Sequence, residues 1–283
     1  NPALHKRMLG SYTDTMLLRT DQVLDDWKDG TTRDMLVEMR RIALLILMDS
    51  LFKVDFSEEM PRLWEAILKT ILIANPALND DLIRDQLLTI LIAGHDTSTA
   101  LLAWSLYCLG RNPDIMERAR DEVGSVLKGK PPDASNIHQL TYLDHIIKET
   151  LRLYPPIHLG MRIAAKDLEF HGFRIPAGKR VVYSIYLTHR VEKYWPEPDR
   201  FDPERFVEGK SDERPPYTYI PFGGGPRNCI GMAFAQVEVK VVLARILQRF
   251  QLTLSPTKVH AHMGATLEPR PGVFMQVTKA GNR

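Results

Sequence analysis

The sequence predicts a mainly α-helical fold with a minor β part, on three observations. A long apolar stretch, "NDDLIRDQLLTILIAGHDTSTALLAWSLYCLG" from Asn79 to Gly110, carries apolar residues on more than one face. Shorter segments with helical spacing follow it. From residue 159 onward, apolar and polar residues alternate between Gly and Pro turns, the pattern of short strands. Hydrophobic residues make up 44% and charged residues 25% of 283 residues, enough for a large core and unlike a disordered chain.

The elements follow in order. The Asn79–Gly110 helix opens on capping Asn and Asp residues and stops at a glycine shortly before Pro113. At 1.5 Å per residue it spans roughly 45 Å, most of the width of one domain. In its middle, "AGHDTST" places Gly94 and three hydroxyl residues where packing alone would favour Leu and Ala, so something polar is wanted there. "PDIMERARDEVGSVL" and "LDHIIKETLRLYP" are helical, the second stopped by Pro155 and Pro156. "LGMRIAAKDLEFHGFRIPAGKRVVYSIYLTH", from 159, reads as short strands, and "WPEPDRFDPERF" as an ordered loop. "GMAFAQVEVKVVLARILQRF" returns to helix, and "FQLTL" and "GVFMQVT" are closing strands. No repeat or linker divides the chain, so residues 1–283 read as a single domain.

Lys+Arg 37 against Asp+Glu 35 leaves a net charge of +2, which gives no basic field for nucleic acid. The apolar runs "IALLILM" and "LLTILIAG" fall short of the roughly 18 residues a membrane span needs. A soluble, cytoplasmic, bacterial-type protein is expected, although a start at Asn1 leaves room for a preceding membrane anchor or targeting segment. Two distant cysteines, Cys108 and Cys229, exclude a C-x-x-C pair and a disulfide framework.

Cys229 sits in "FGGGPRNCIG", residues 222 to 231. Glycines let such a loop approach a bulky group and turn its amides toward the sulfur, and the helix that follows adds its positive end; both favour a thiolate. A lone buried cysteine is ordinarily inert. Here Phe222 and Arg227 change that balance, because the loop resembles the haem-binding loop of the cytochrome P450 family, F-x-x-G-x-R-x-C-x-G, met at Phe222, Gly225, Arg227, Cys229 and Gly231. The resemblance implies that Cys229 is the axial thiolate of haem b iron, a ligation for which these enzymes are the standard example. It also implies that Phe222 packs beside the sulfur and Arg227 pairs with a propionate, a carboxylate that suits its planar fork.

Three further stretches carry the resemblance. Glu149 and Arg152 in "KETLRLYPP" stand three apart on one helix face, by themselves a solvated pair of little worth. They resemble the family's E-x-x-R, which with Arg205 of "PERF" forms a buried charge cluster beneath the haem loop. On its own, Thr97 in "AGHDTS" reads as a kink residue bonded one turn back. The stretch from Ala93 to Ser98 resembles the family's oxygen-activation pattern, making Asp96 and Thr97 a proton relay for O–O cleavage. His95 reads as a packing or substrate-edge residue. In "HLGMRIA" the resemblance puts Arg162 on a second propionate, otherwise an exposed strand arginine. It puts Ala93, Ile157, His158, Leu159, Gly160 and Ala265 around the substrate pocket.

As a whole the resemblance implies a haem monooxygenase placing one atom of O2 into an apolar organic substrate. Its electrons come from NAD(P)H through a ferredoxin and ferredoxin reductase or a flavoprotein reductase, since no flavin or nucleotide motif occurs here. Lys and Arg of "VEVKVVLARILQR" are expected to meet an acidic partner. The alternatives are a hydrogen-peroxide-dependent peroxygenase, against which the retained Asp96 and Thr97 count, and a non-catalytic haem-binding remnant or sensor. Family members are longer. "NPALHKRML" resembles the end of a helix whose W-x-x-x-R is missing, and "DFSEEMPRLWEAILKTILIANP" leaves no room for two roof helices. One abbreviation accounts for both losses: the sequence reads as ordered pieces joined across mobile cavity-covering loops rather than as a truncated enzyme.

Overall fold

A computed structural model of the chain describes residues 6–52, 81–209 and 214–281. Helix α1 (Lys6–Leu24) leads through β1 (Thr32–Asp34) to α2 (Met35–Leu47), which a π-helical turn, Met48–Phe52, extends. Asp34 starts α2 by accepting the Leu36 N–H at 3.0 Å. Of "NPALHKRML", residues from Lys6 onward lie in α1, which continues to Leu24, and the rest lies outside the described residues. The roof-helix segment, 55–76, lies outside the described residues.

The long helix α3 (Asp81–Arg111) is followed by α4 (Pro113–Leu127), with proline at its first position, and by α5 (Thr141–Leu153), which ends before Pro155. The strands β2 (Leu159–Ile163) and β5 (Arg180–Ser184) pair antiparallel around the hairpin β3 (Leu168–Phe170) and β4 (Phe173–Ile175). One stretch departs from the strand reading. Residues Ile185–Thr188 form a helical turn, α6, because Ser184 caps it through the Leu187 N–H at 3.1 Å. A single 3₁₀ turn, Pro203–Phe206, lies in the proline-rich loop.

Helix α7 (Met232–Arg249) leads to β6 (Phe250–Leu254), the hairpin β7 (His260–Met263) and β8 (Leu267–Arg270), and β9 (Phe274–Lys279). The hairpin was not legible as strands. The sheet runs β1-β9-β6, with Leu252 opposite Val277, both buried, and Thr32 opposite Gln276.

The core is continuous across α1, α2, α3, α5 and α7, with Met39, Leu102, Leu106, Ile146, Val242 and Ile246 fully enclosed. A methyl group at Gly94 would lie 3.1 Å from Leu47, so α2 and α3 touch where α3 carries its polar centre. Leu267 joins three parts of the molecule through its main chain. Its N–H donates to the Pro156 carbonyl at 2.8 Å, and its carbonyl accepts from Trp104 Nε1 at 2.9 Å.

Candidate haem-binding site

The loop around Cys229 is shaped by its own backbone. Gly223 and Gly225 adopt φ of 79° and 68°, a region that costs other residues strain. The Gly223 N–H donates to Ile220, Asn228 to Gly225 and Cys229 to Phe222, at 3.0, 3.0 and 2.9 Å. The expected turning of amides toward the sulfur is not found. Among the described residues no hydrogen bond ends on Cys229 Sγ, and the Cys229 amide itself closes the loop on the Phe222 carbonyl.

Residues 225–230 are all exposed, and α7 starts two residues later. Three kinds of chemistry are thus presented within four positions. Arg227 has no carboxylate partner among the described residues, Cys229 carries a free thiol, and Ile230 is 62% exposed. This donor set fits haem, which needs a cation for a propionate, a soft ligand for iron and apolar contact for the ring.

Behind the loop lies the ion pair. Glu149 and Arg152 are both fully buried on α5, and Arg152 Nε and Nη2 bind the two carboxylate oxygens at 2.7 and 2.8 Å. The remaining Arg152 protons go to the carbonyls of His189, Pro198 and Arg200, so all five N–H donors are used. Burial pushes the Glu149 carboxyl up, while Arg152, the Asp202 N–H and Arg205 oppose that shift. Arg205 Nε stands 3.4 Å from Glu149, an ionic contact without hydrogen-bond geometry, and Arg205 Nη2 donates to the Glu197 carbonyl.

On α3 the polar residues divide. His95 is buried and packs against α2, with Nε2 3.3 Å from the Arg40 carbonyl and Nδ1 2.9 Å from Asp96 Oδ1. Thr97 donates to the Ala93 carbonyl at 2.6 Å. Asp96 and Thr97 are both half-buried and Ala93 is exposed. Ser98, the next residue, donates at 2.6 Å to Glu238 of α7, whose buried carboxyl is pushed up to about 8 by desolvation, opposed by that bond. The centre of α3 is thereby tied to the helix that begins just after Cys229.

The proposed pocket residues lie on the strand side. Ile157 and Leu159 are exposed, and His158 is half-buried. Gly160 makes room for the Tyr183 ring, which a methyl group there would meet at 2.0 Å. Arg162 is exposed, stands 5.6 Å from the Tyr183 ring centre and donates to the Met161 carbonyl. Ala265 is exposed in the turn between β7 and β8.

The family model described as Cytochrome P450 matches residues 65–274. The chain belongs to the cytochrome P450 family. A curated relative, cytochrome P450 139 of Mycobacterium tuberculosis, is 40% identical over 208 residues, 72% of this chain and 48% of the relative. Cytochrome P450 3A7 of Homo sapiens is 42% identical over 175 residues, 62% of this chain and 35% of the relative. The chain spans about half the length, or less, of these curated relatives. Among solved structures, the haem domain of cytochrome P450DA superposes with a TM-score of 0.89 at 27% identity, over 99% of this chain and 74% of that one.

Within this cytochrome P450 fold the basic residues expected to meet a redox partner are already engaged. Lys240 pairs with Asp144 at 2.7 Å, and Arg245 and Arg249 pair with Asp21 at 2.7 and 2.9 Å, because α7 packs between α1 and α5. Among the described residues no helix is long and apolar enough to cross a membrane. Sequence reasoning missed the aromatic and basic layer behind the loop. His189, Trp195 and Tyr219 pack together there, and Arg214 stands 4.3 Å from the Trp195 ring centre. These residues are scattered over a proline-rich stretch, and no spacing rule connects them.

Proposed function

We propose that the protein is a haem-thiolate monooxygenase that puts one atom of O2 into an apolar organic substrate and reduces the other to water, consuming two electrons and two protons. The observation that carries this reading is the exposed Arg227–Cys229–Ile230 surface at the start of α7, on a chain of this family. Haem b, when bound, supplies the oxidation chemistry. Cys229 Sγ holds the iron, Arg227 and Arg162 hold propionates, and Phe222 packs beside the sulfur. Gly225 would serve the loop through its φ of 68°, and Gly231 lies beside the sulfur, where a methyl group would make an ordinary 3.9 Å contact with Sγ.

Glu149, Arg152 and Arg205 anchor the loop from behind. Asp96 and Thr97 would deliver protons: the Thr97 hydroxyl, which donates to the Ala93 carbonyl, would turn from that bond to pass its proton toward the substrate cavity while a lone pair takes the replacement from Asp96 through water. Ala93, Ile157, His158, Leu159, Gly160 and Ala265 border the substrate. Electrons originate from NAD(P)H and arrive through a ferredoxin or flavoprotein reductase. The test replaces Cys229 by Ser or His and records the ferrous carbon monoxide complex. The strongly red-shifted Soret band of a thiolate ligand is expected in wild type and lost in both variants; an unchanged spectrum assigns the ligand elsewhere.

A further inference from the structure

His189 has no exposed surface, follows α6 directly and uses both ring nitrogens. Nε2 lies 2.8 Å from the Ile220 amide nitrogen, and Nδ1 lies 3.2 Å from the Arg152 carbonyl. An amide N–H can only donate and a carbonyl can only accept. The ring is therefore neutral, with its one proton on Nδ1. Arg152 returns a bond to the His189 carbonyl at 2.9 Å, and the ring stacks on Tyr219, whose hydroxyl is anchored on the Lys148 carbonyl.

From Ile220 the path continues into the cysteine loop. The Ile220 carbonyl accepts from Gly223, and the Phe222 carbonyl accepts from Cys229. We propose that His189 is a positioning residue that seats the cysteine loop on the buried ion pair: it accepts the Ile220 N–H at Nε2 and donates from Nδ1 to Arg152. This rests on the haem-thiolate reading for its purpose, and on the loop geometry for its substance.

The charged and titratable groups around the ring are Arg152 of α5, Arg190 next in the chain and Tyr219. Burial holds the ring down to about 4, and both guanidiniums also oppose a second proton. Protonation would leave Nε2 unable to accept, so the seat opens only in strong acid.

Two substitutions separate the two arms of the bridge. His189→Asn keeps a donor for the Arg152 carbonyl and loses the reach to Ile220. His189→Gln places an amide oxygen where Nε2 stands. Hydrogen exchange of the Ile220 amide in the purified protein is expected to rise roughly 10- to 100-fold in His189→Asn, as for a lost buried bond, and to recover in His189→Gln. The fraction of the ferrous carbon monoxide complex with the red-shifted Soret band is expected to follow the same order. Equal exchange in wild type and His189→Asn, or equal exchange in the two variants, overturns the proposal.

Nitrogen-15 spectra of histidine-labelled wild type give an independent decision even if neither variant folds. A proton on Nδ1 at neutral pH upholds the seat, and a proton on Nε2 or on both nitrogens overturns it. If Cys229 is not the ligand, the wild-type Soret band lacks its shift while Ile220 exchange still responds to His189→Asn. The haem reading then fails and the seating stands.

Discussion

Thr97 bonds its hydroxyl back to the Ala93 carbonyl, whereas Asp96 is held by His95, so the two residues proposed as a relay are oriented by different partners. Removing the hydroxyl leaves the helix intact, because alanine is the better helix former. Thr97→Ala is therefore expected to bind haem and substrate normally while product per NAD(P)H falls and hydrogen peroxide rises. A lost acid–base element typically costs about 10²–10⁴-fold. Product and peroxide per reductant, measured with a surrogate ferredoxin and reductase, decide it; equal product yields would leave Thr97 a packing residue. The identity of these side chains was readable from "AGHDTS". The back-bond of Thr97 one turn earlier was readable as well, whereas the anchoring of His95 on the Arg40 carbonyl was not, since it spans 55 positions that no local pattern connects.

Between elements, the bond from Ser98 to Glu238 joins α3 to α7 inside the core. The folded-state carboxyl titrates near 8 against an ordinary 4.5, so the unfolded chain releases its proton first as pH rises. The stabilisation is complete below 4.5, is lost progressively up to about 8 and then levels off. Glu238→Gln keeps an acceptor for Ser98 and removes the titration. Relative to the variant, wild type is expected to lose about 3–5 kcal/mol across that window. Urea unfolding of both proteins at several pH values measures the difference; a pH-independent gap would show that Glu238 is ionised throughout. Element types were largely legible because helical and alternating spacings differ. Besides the β7–β8 hairpin, the exception at Ile185–Thr188 arose because "SIYLT" has strand composition, while Ser184 caps it as a helical turn.

For the molecule as a whole, the Glu149–Arg152 pair holds together α5, the segment after α6 and the proline-rich loop. Glu149→Ala would leave a buried guanidinium without its carboxylate, at an expected cost of about 3–5 kcal/mol. That is a large share of the roughly 5–15 kcal/mol typical of a domain. Urea midpoints and the haem-to-protein ratio should both fall; an unchanged midpoint would mean that the carbonyls alone satisfy Arg152. The pair and its burial were expected from the family motif, its spacing alone reading as a solvated pair, while the five bonds of Arg152 came only from the tertiary arrangement.

The same long-range closure gives Leu267 a different significance. It secures the β7–β8 hairpin through its own amide and carbonyl, to Pro156 and Trp104, and these are groups that every residue except proline possesses. The tip from Gly264 to Thr266 carries none of that attachment through its side chains. Evolution can therefore rewrite the tip without moving the hairpin, so this turn can change what it contacts while the fold that presents it stays the same.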